Sequence, residues 1–86
     1  MYDYQWTEEA LDKLADLYIE VDVPDRERMA AGVQAFNARL AADPLAVGES
    51  QGGGYRIGFS PLLRVFFKVD MSARKVWVVD VKRFGR

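Results

Sequence analysis

YRIGFSPLLRVFFKVDMSARKVWVVDVKRF, residues 55–84, decides the architecture of this chain. Within it Tyr55, Ile57 and Phe59, then Leu63, Val65, Phe67 and Val69, then Trp77, Val79 and Val81 recur at every second position. That is the period of strands with one face buried. Ser60, Pro61 and Leu62 separate the first two runs and Met71 to Arg74 the last two, gaps of hairpin length. Three strands joined in this way form an antiparallel meander, and its apolar face needs a cover.

The cover lies upstream. Thr7 suits a helix N-cap, with Glu8 and Glu9 at the positive end of the helix dipole. Ala10, Leu11, Leu14, Leu17, Tyr18 and Val21 then keep helical spacing, which predicts a first helix over about 8–20. Pro24 interrupts the chain and Asp25 is placed to cap a second helix over about 25–42, with Met29, Val33, Phe36 and Leu40 on its apolar face. Pro44 ends it by disfavouring the helical conformation at Asp43. Two helices joined so closely are expected to lie antiparallel. Tyr2 to Trp6 alternates aromatic and polar residues, a half-buried strand. The predicted order is β-α-α-β-β-β, an α+β domain over residues 1–86 in which an antiparallel sheet packs on a two-helix hairpin. Gly52, Gly53 and Gly54 are expected to form a loop before the sheet. They lack the Gly-Lys-Ser/Thr ending of a phosphate loop and lead into a strand rather than a helix.

A chain of 86 residues, half of them apolar, builds one small core. Cysteine is absent, which excludes disulfides, thiolate metal sites and Cys nucleophiles, and is consistent with a reducing cytosol. Histidine is absent too, so the side chain that titrates nearest neutrality is missing from any proton transfer. The start MYDYQWTEEA has no basic leader region, and no apolar run exceeds four residues; a cytoplasmic protein without a membrane segment is expected. No acid spacing resembles a calcium loop, so neither a metal nor a small-molecule cofactor is expected.

The charges are sorted along the chain. Residues 1–50 hold eleven acids and four bases, residues 51–86 eight bases and two acids. Strand parity sends Arg56, Arg64, Lys68 and Lys82 to the side opposite the core, with Arg83 just beyond them. Phe66 falls in their midst, and Gly58 leaves room beside Arg56. Such a face suits a phosphodiester chain, because guanidinium forks bind phosphate and an aromatic ring accepts a base. Four phosphate contacts imply a log-log salt slope of about −3 to −4. The alternative is a solvated outer face with Phe66 covered by a neighbour. Asp12, Asp16 and Glu20 form an acidic stripe on the first helix, ordinarily a solvated face and alternatively a docking surface for a basic partner.

The segment DPLAVGESQGGGYRIGFSPLLRVFFKVDMSARKVWVVDVKRF, residues 43–84, resembles the RelE/ParE superfamily of toxins from type II toxin–antitoxin systems. The more specific parts are the helix-ending DPL, the glycine-rich lead-in, YRI and LRVFFKVD; with the two helices and the aromatic strand before them, the resemblance covers essentially the whole chain. It implies a small cytoplasmic bacterial protein held inactive by a cognate antitoxin. RelE-like members cut mRNA in the ribosomal A site without a metal, so the ribosome and mRNA are implied partners. ParE-like members inhibit DNA gyrase and do not cut RNA. A toxin fold that has lost toxicity and serves as a binding partner is a third outcome. Carried onto this sequence, the resemblance implies catalytic roles for Arg56, Arg64 and Arg83, and strand parity adds Lys68, Lys82 and Phe66 as residues that bind RNA or phosphate. Arg56 and Arg64 match basic positions of RelE-like strands, and Lys82 or Arg83 the base after the last strand. Two positions depart: Gly58 stands where many members have a second base, and the Tyr expected near the end is not among Phe84, Gly85 and Arg86. Arg56 and Arg64 can stabilise a developing phosphorane, but no side chain is marked out to take the 2′-hydroxyl proton.

Overall fold

The two hairpin gaps of residues 55–84 become turns between strands β3 (Tyr55–Ser60), β4 (Leu63–Asp70) and β5 (Lys75–Arg83), which pair antiparallel. A computed structural model describes residues 1–85. Pro61 and Leu62 make the first turn, with Pro61 fixing its own φ and Leu62 taking φ 69°, the backbone of a type II turn. Asp70 organises the second. Its carboxylate accepts from the Ser72 hydroxyl at 2.8 Å and the Ala73 amide at 3.1 Å, and these bonds hold its pKa below the usual carboxylate value.

Two further strands complete a five-stranded sheet of order β1-β5-β4-β3-β2. β2 (Glu49–Gly52) was not expected. The glycines are no open loop: Gly53 and Gly54, at φ 62° and 84°, turn the chain so that Gly52 pairs with Tyr55, a hairpin geometry that side chains with a Cβ resist. Glu49, Ser50 and Gln51 are all exposed, so this edge strand carries no alternation to read. β1 (Asp3–Trp6) pairs with β5 in parallel, which corrects the all-antiparallel expectation. The helices carry the chain from one edge of the sheet to the other, and the meander returns to β1 running in the same direction.

Helix α1 spans Glu8–Glu20, capped by the Thr7 hydroxyl, which accepts from the Ala10 amide at 3.2 Å. Helix α2 spans Val23–Ala42 and begins earlier than expected: Asp22 is the cap, and Pro24 sits in the first turn, where its missing N–H costs nothing. Arg26 closes the end of α1 by donating from Nε to the Tyr18 carbonyl at 2.8 Å and from Nη2 to that of Val21 at 3.0 Å. These last-turn carbonyls have no helical partners. α1 lies along β5 and α2 across β1 and β3. Among the described residues no helix is long and apolar enough to cross a membrane.

The core is the helix-facing side of the sheet. Leu63, Val65, Phe67, Val76, Val78 and Val81 meet Ala10, Leu14, Met29, Phe36 and Leu40, and Phe36 and Phe67 pack edge to face with centroids 5.9 Å apart. The parity expected for β4 holds, but that of β3 is inverted. Gly58 and Ser60 point inward, while Tyr55 and Phe59 are 46% and 49% exposed. The cause is the closeness of α2. A Cβ on Gly58 would stand 2.9 Å from the Phe36 ring, and one on Gly32 of α2 would stand 2.5 Å from Pro61 and 2.7 Å from the Ser60 hydroxyl. In β5 a bulge places Phe66 opposite Asp80 but Phe67 opposite Val78, leaving Val79 as the extra residue. Val76 and Val78 therefore fill the core, and Trp77, expected inside, faces outward beside Lys68.

Candidate nucleic-acid interface

Among the described residues no helix covers the other side of the sheet. Cross-strand register arranges its side chains in rows. Phe59, Arg64 and Lys82 form one row; Ile57, Phe66 and Asp80 the next; Tyr55, Lys68, Trp77 and Gln5 a third. Each cation lies against a ring. The Arg64 guanidinium is 5.3 Å from the Phe84 centroid, Lys82 Nζ 5.6 Å from Phe66, Lys68 Nζ 5.0 Å from Tyr55 and Lys75 Nζ 4.3 Å from Trp77. Such contacts contribute about 0.5–1 kcal/mol each at exposed sites, enough to bias long side chains toward the sheet without committing them. Phe84 is fixed by its amide, which donates to the Leu62 carbonyl at 2.9 Å, and its ring leans on Phe59 with centroids 4.8 Å apart.

The acids of the C-terminal half are engaged elsewhere. Asp70 is bound into its own turn. Asp80 bonds Lys13 of α1 at 2.6 Å and accepts from the Val81 amide at 2.9 Å. Arg64, Lys68, Lys75 and Lys82 therefore set the sign of the open face, with Glu49 and Asp3 confined to its edge strands. A polyanion approaching it meets positive charge over neutral rings.

Of the residues singled out in the sequence, Arg64, Phe66, Lys68 and Lys82 are brought together here. Arg56 is not. It shares the parity of Gly58 and Ser60, and its guanidinium donates from Nε to the Val47 carbonyl at 2.9 Å and from Nη2 to that of Gly48 at 3.0 Å. The expectation that Arg56 joins the basic face is thus corrected: the inverted parity of β3 turns it to the segment before β2. The space at Gly58 is likewise taken by Phe36. Arg83 pairs with Leu63, opposite in parity to Lys82, and lines a groove toward α1 with Lys13, Asp16 and Glu20, a groove whose rim Lys82 shares. Tyr55, Phe59, Lys75, Trp77 and Phe84 belong to the open face and were missed. The two small residues Gly58 and Ser60, alternating in β3, were a signal for the first two; the bulge that exposes Trp77 leaves none.

No protein-family model matches the sequence, and no curated protein is significantly similar to it. Solved structures are similar in fold. A chain of the RelBE2 toxin–antitoxin complex from Mycobacterium tuberculosis superposes with a TM-score of 0.74 at 21% identity, covering 96% of this chain and 98% of that one. A chain of the chromosomal ParDE system of P. aeruginosa gives 0.74 at 15% identity over 99% and 98%. One from the intact E. coli RelBE complex gives 0.62 at 16% over the full length of both. The superposition spans nearly the full length of both chains in each of these comparisons, and the chain shares the RelE/ParE-like fold of these chains from toxin–antitoxin complexes.

Proposed function

We propose that this chain is the toxin component of a type II toxin–antitoxin pair and that it acts on mRNA through the open face of its sheet. The observation that carries the reading is that face: four cations, each set against an aromatic ring, with the nearby acids withdrawn. Arg64 and Lys82 are direct neighbours across β4 and β5, so both can address one phosphate. As a ribose 2′-hydroxyl attacks phosphorus and the bond to the 5′-oxygen breaks, they offset the charge that builds on the phosphorane oxygens, a metal-independent electrostatic role, and the leaving 5′-oxygen takes its proton from water. Arg64 supplies the planar fork and Lys82 a mobile point charge. Tyr55 is the phenol of this face but stands in the row farthest from Arg64, so the 2′-hydroxyl proton leaves to water or to the ribosome. Arg56 acts by shaping the Val47–Gly48 segment rather than by touching RNA. A cognate antitoxin silences the protein in the cytoplasm by covering the same face with a helix or an added strand.

Inhibition of DNA gyrase without RNA cleavage is the second reading, favoured by the diversion of Arg56 and by the lack of a proton acceptor beside Arg64. Induction in a bacterial host separates the two. Growth arrest with mRNA cut at A-site codons supports the first. Arrest with intact mRNA, and loss of supercoiling when purified protein is added to gyrase, moves the assignment to the second. Harmless overexpression removes the toxin role and leaves a binding protein.

A further inference from the structure

The third row of the open face takes no part in the chemistry proposed for Arg64 and Lys82, yet it has the makings of a site. Tyr55, Lys68, Trp77 and Gln5 stand side by side across β3, β4, β5 and β1. Neighbouring strands are about 4.8 Å apart, so the two rings are separated by about 10 Å with Lys68 between them. Lys75 is held over the Trp77 ring and donates to the Gln5 side-chain carbonyl at 3.2 Å. The two tryptophans of the chain contrast. Trp6 is 8% exposed, and its indole donates to Asn37 at 2.8 Å; Trp77 is half-buried on an uncovered face, and its indole N–H has no protein partner among the described residues. Asp70, on the same strand face as Lys68, is occupied by Ser72 and Ala73. Asp3, paired with Lys75 at the sheet edge, is the remaining acid near the row.

We propose that Trp77 and Tyr55, with Lys68 and Lys75, form a subsite for an unpaired nucleobase and its adjoining phosphate, so that the RNA taken by this face is single-stranded and runs from this row to Arg64. This rests on the RNA reading of the face. Lys68 lies four residues from Arg64 along β4, about 13 Å, a span of a few nucleotides. A ring on a shallow sheet stacks only on a base whose own face is free, which a duplex does not offer. A ring with an ammonium beside it receives one base and its adjoining phosphate together. Stacking also makes the subsite tolerant of sequence, since every base has a π-face.

The test uses the full chain and its tryptophan fluorescence. Octaadenylate and octauridylate should quench the emission of the wild-type protein, and Trp77→Phe, which leaves Trp6 as the reporter, should show no quenching. By anisotropy of a labelled octamer, Trp77→Ala should bind about tenfold more weakly, the fold-change expected for one stacked base. Trp77→Phe keeps a ring and should stay within about threefold of wild type, which separates lost stacking from lost folding. Absence of quenching at saturating octamer overturns the subsite, as does undiminished binding by Trp77→Ala or equal quenching by an RNA duplex. Quenching together with the tenfold loss, in a protein whose induction leaves mRNA intact, upholds the subsite while ending the cleavage reading. A-site cleavage without quenching does the reverse.

Discussion

Val65 and Phe67 are fully buried, while Arg64, Phe66 and Lys68, interleaved with them on β4, face the uncovered side. The two faces of this strand are held by different physics. Inward side chains are fixed by close packing against α1 and α2, where a change of one methylene is felt. Outward ones are held only by pairwise contacts between a cation and a ring, each worth little to folding. A substitution should therefore cost stability on one face and ligand binding on the other, and changes that violate this division would break the comparison.

The largest expected effect is inside. Phe67→Ala removes the ring that Phe36 packs against and should destabilise the chain by about 3–5 kcal/mol, a large part of the about 5–10 kcal/mol available to a domain of this size. Urea denaturation measures it, and a loss below 1 kcal/mol would mean that the inner face is loosely packed. Gly48→Ala should follow, at about 2–4 kcal/mol. Gly48 has φ 67°, and a Cβ there would stand 2.0 Å from the Ile57 carbonyl oxygen. Arg56→Ala should cost about 1–2 kcal/mol through two lost charge-assisted bonds and leave the salt dependence of RNA binding unchanged. Weakened binding at unchanged stability would return Arg56 to the open face.

Arg64→Ala is the mirror image. Its stability should stay within about 0.5 kcal/mol of wild type, while growth arrest is abolished and the log-log salt slope for single-stranded RNA becomes shallower by about 0.7. Full toxicity would remove Arg64 from the site. The smallest effect concerns Asp70. Its folded pKa is lowered from 3.8, so the contribution of its turn bonds is present above that pH and fades as pH falls through the lowered value. Comparing wild type with Asp70→Asn by thermal melting between neutral and strongly acidic pH should show a gap that closes only below about pH 4. A gap that instead closes near neutrality would assign the effect to another group.

Much of this was legible in local pattern. Thr7 caps the first helix as expected, Pro44 follows the end of the second, and the runs on β4 face the sides that their alternation specifies. Arg64, Phe66, Lys68 and Lys82 share a face because they share that parity or adjoin it. The position of Arg56 was not legible, since Tyr55, Ile57 and Phe59 make a convincing inner face by hydrophobicity and yet lie outside. The size of the space beneath β3 overrules hydrophobicity, and that space is set by Phe36 and Gly32 of α2, each more than twenty residues in sequence from the residue it meets.

By itself the sequence determined the helices, the three long strands, and the division of charge between an acidic first half and a basic second half. Those features depend on neighbours within a few residues, where spacing and capping act. Only the tertiary structure decided which side of β3 faces the helices, that a bulge reverses β5 at Val79, that Glu49–Gly52 pairs as an edge strand, and that β1 joins β5 in parallel. Each of these is a relation between segments distant in the chain. A strand's alternation fixes that its faces differ, but which face turns inward depends on how closely another element can approach it.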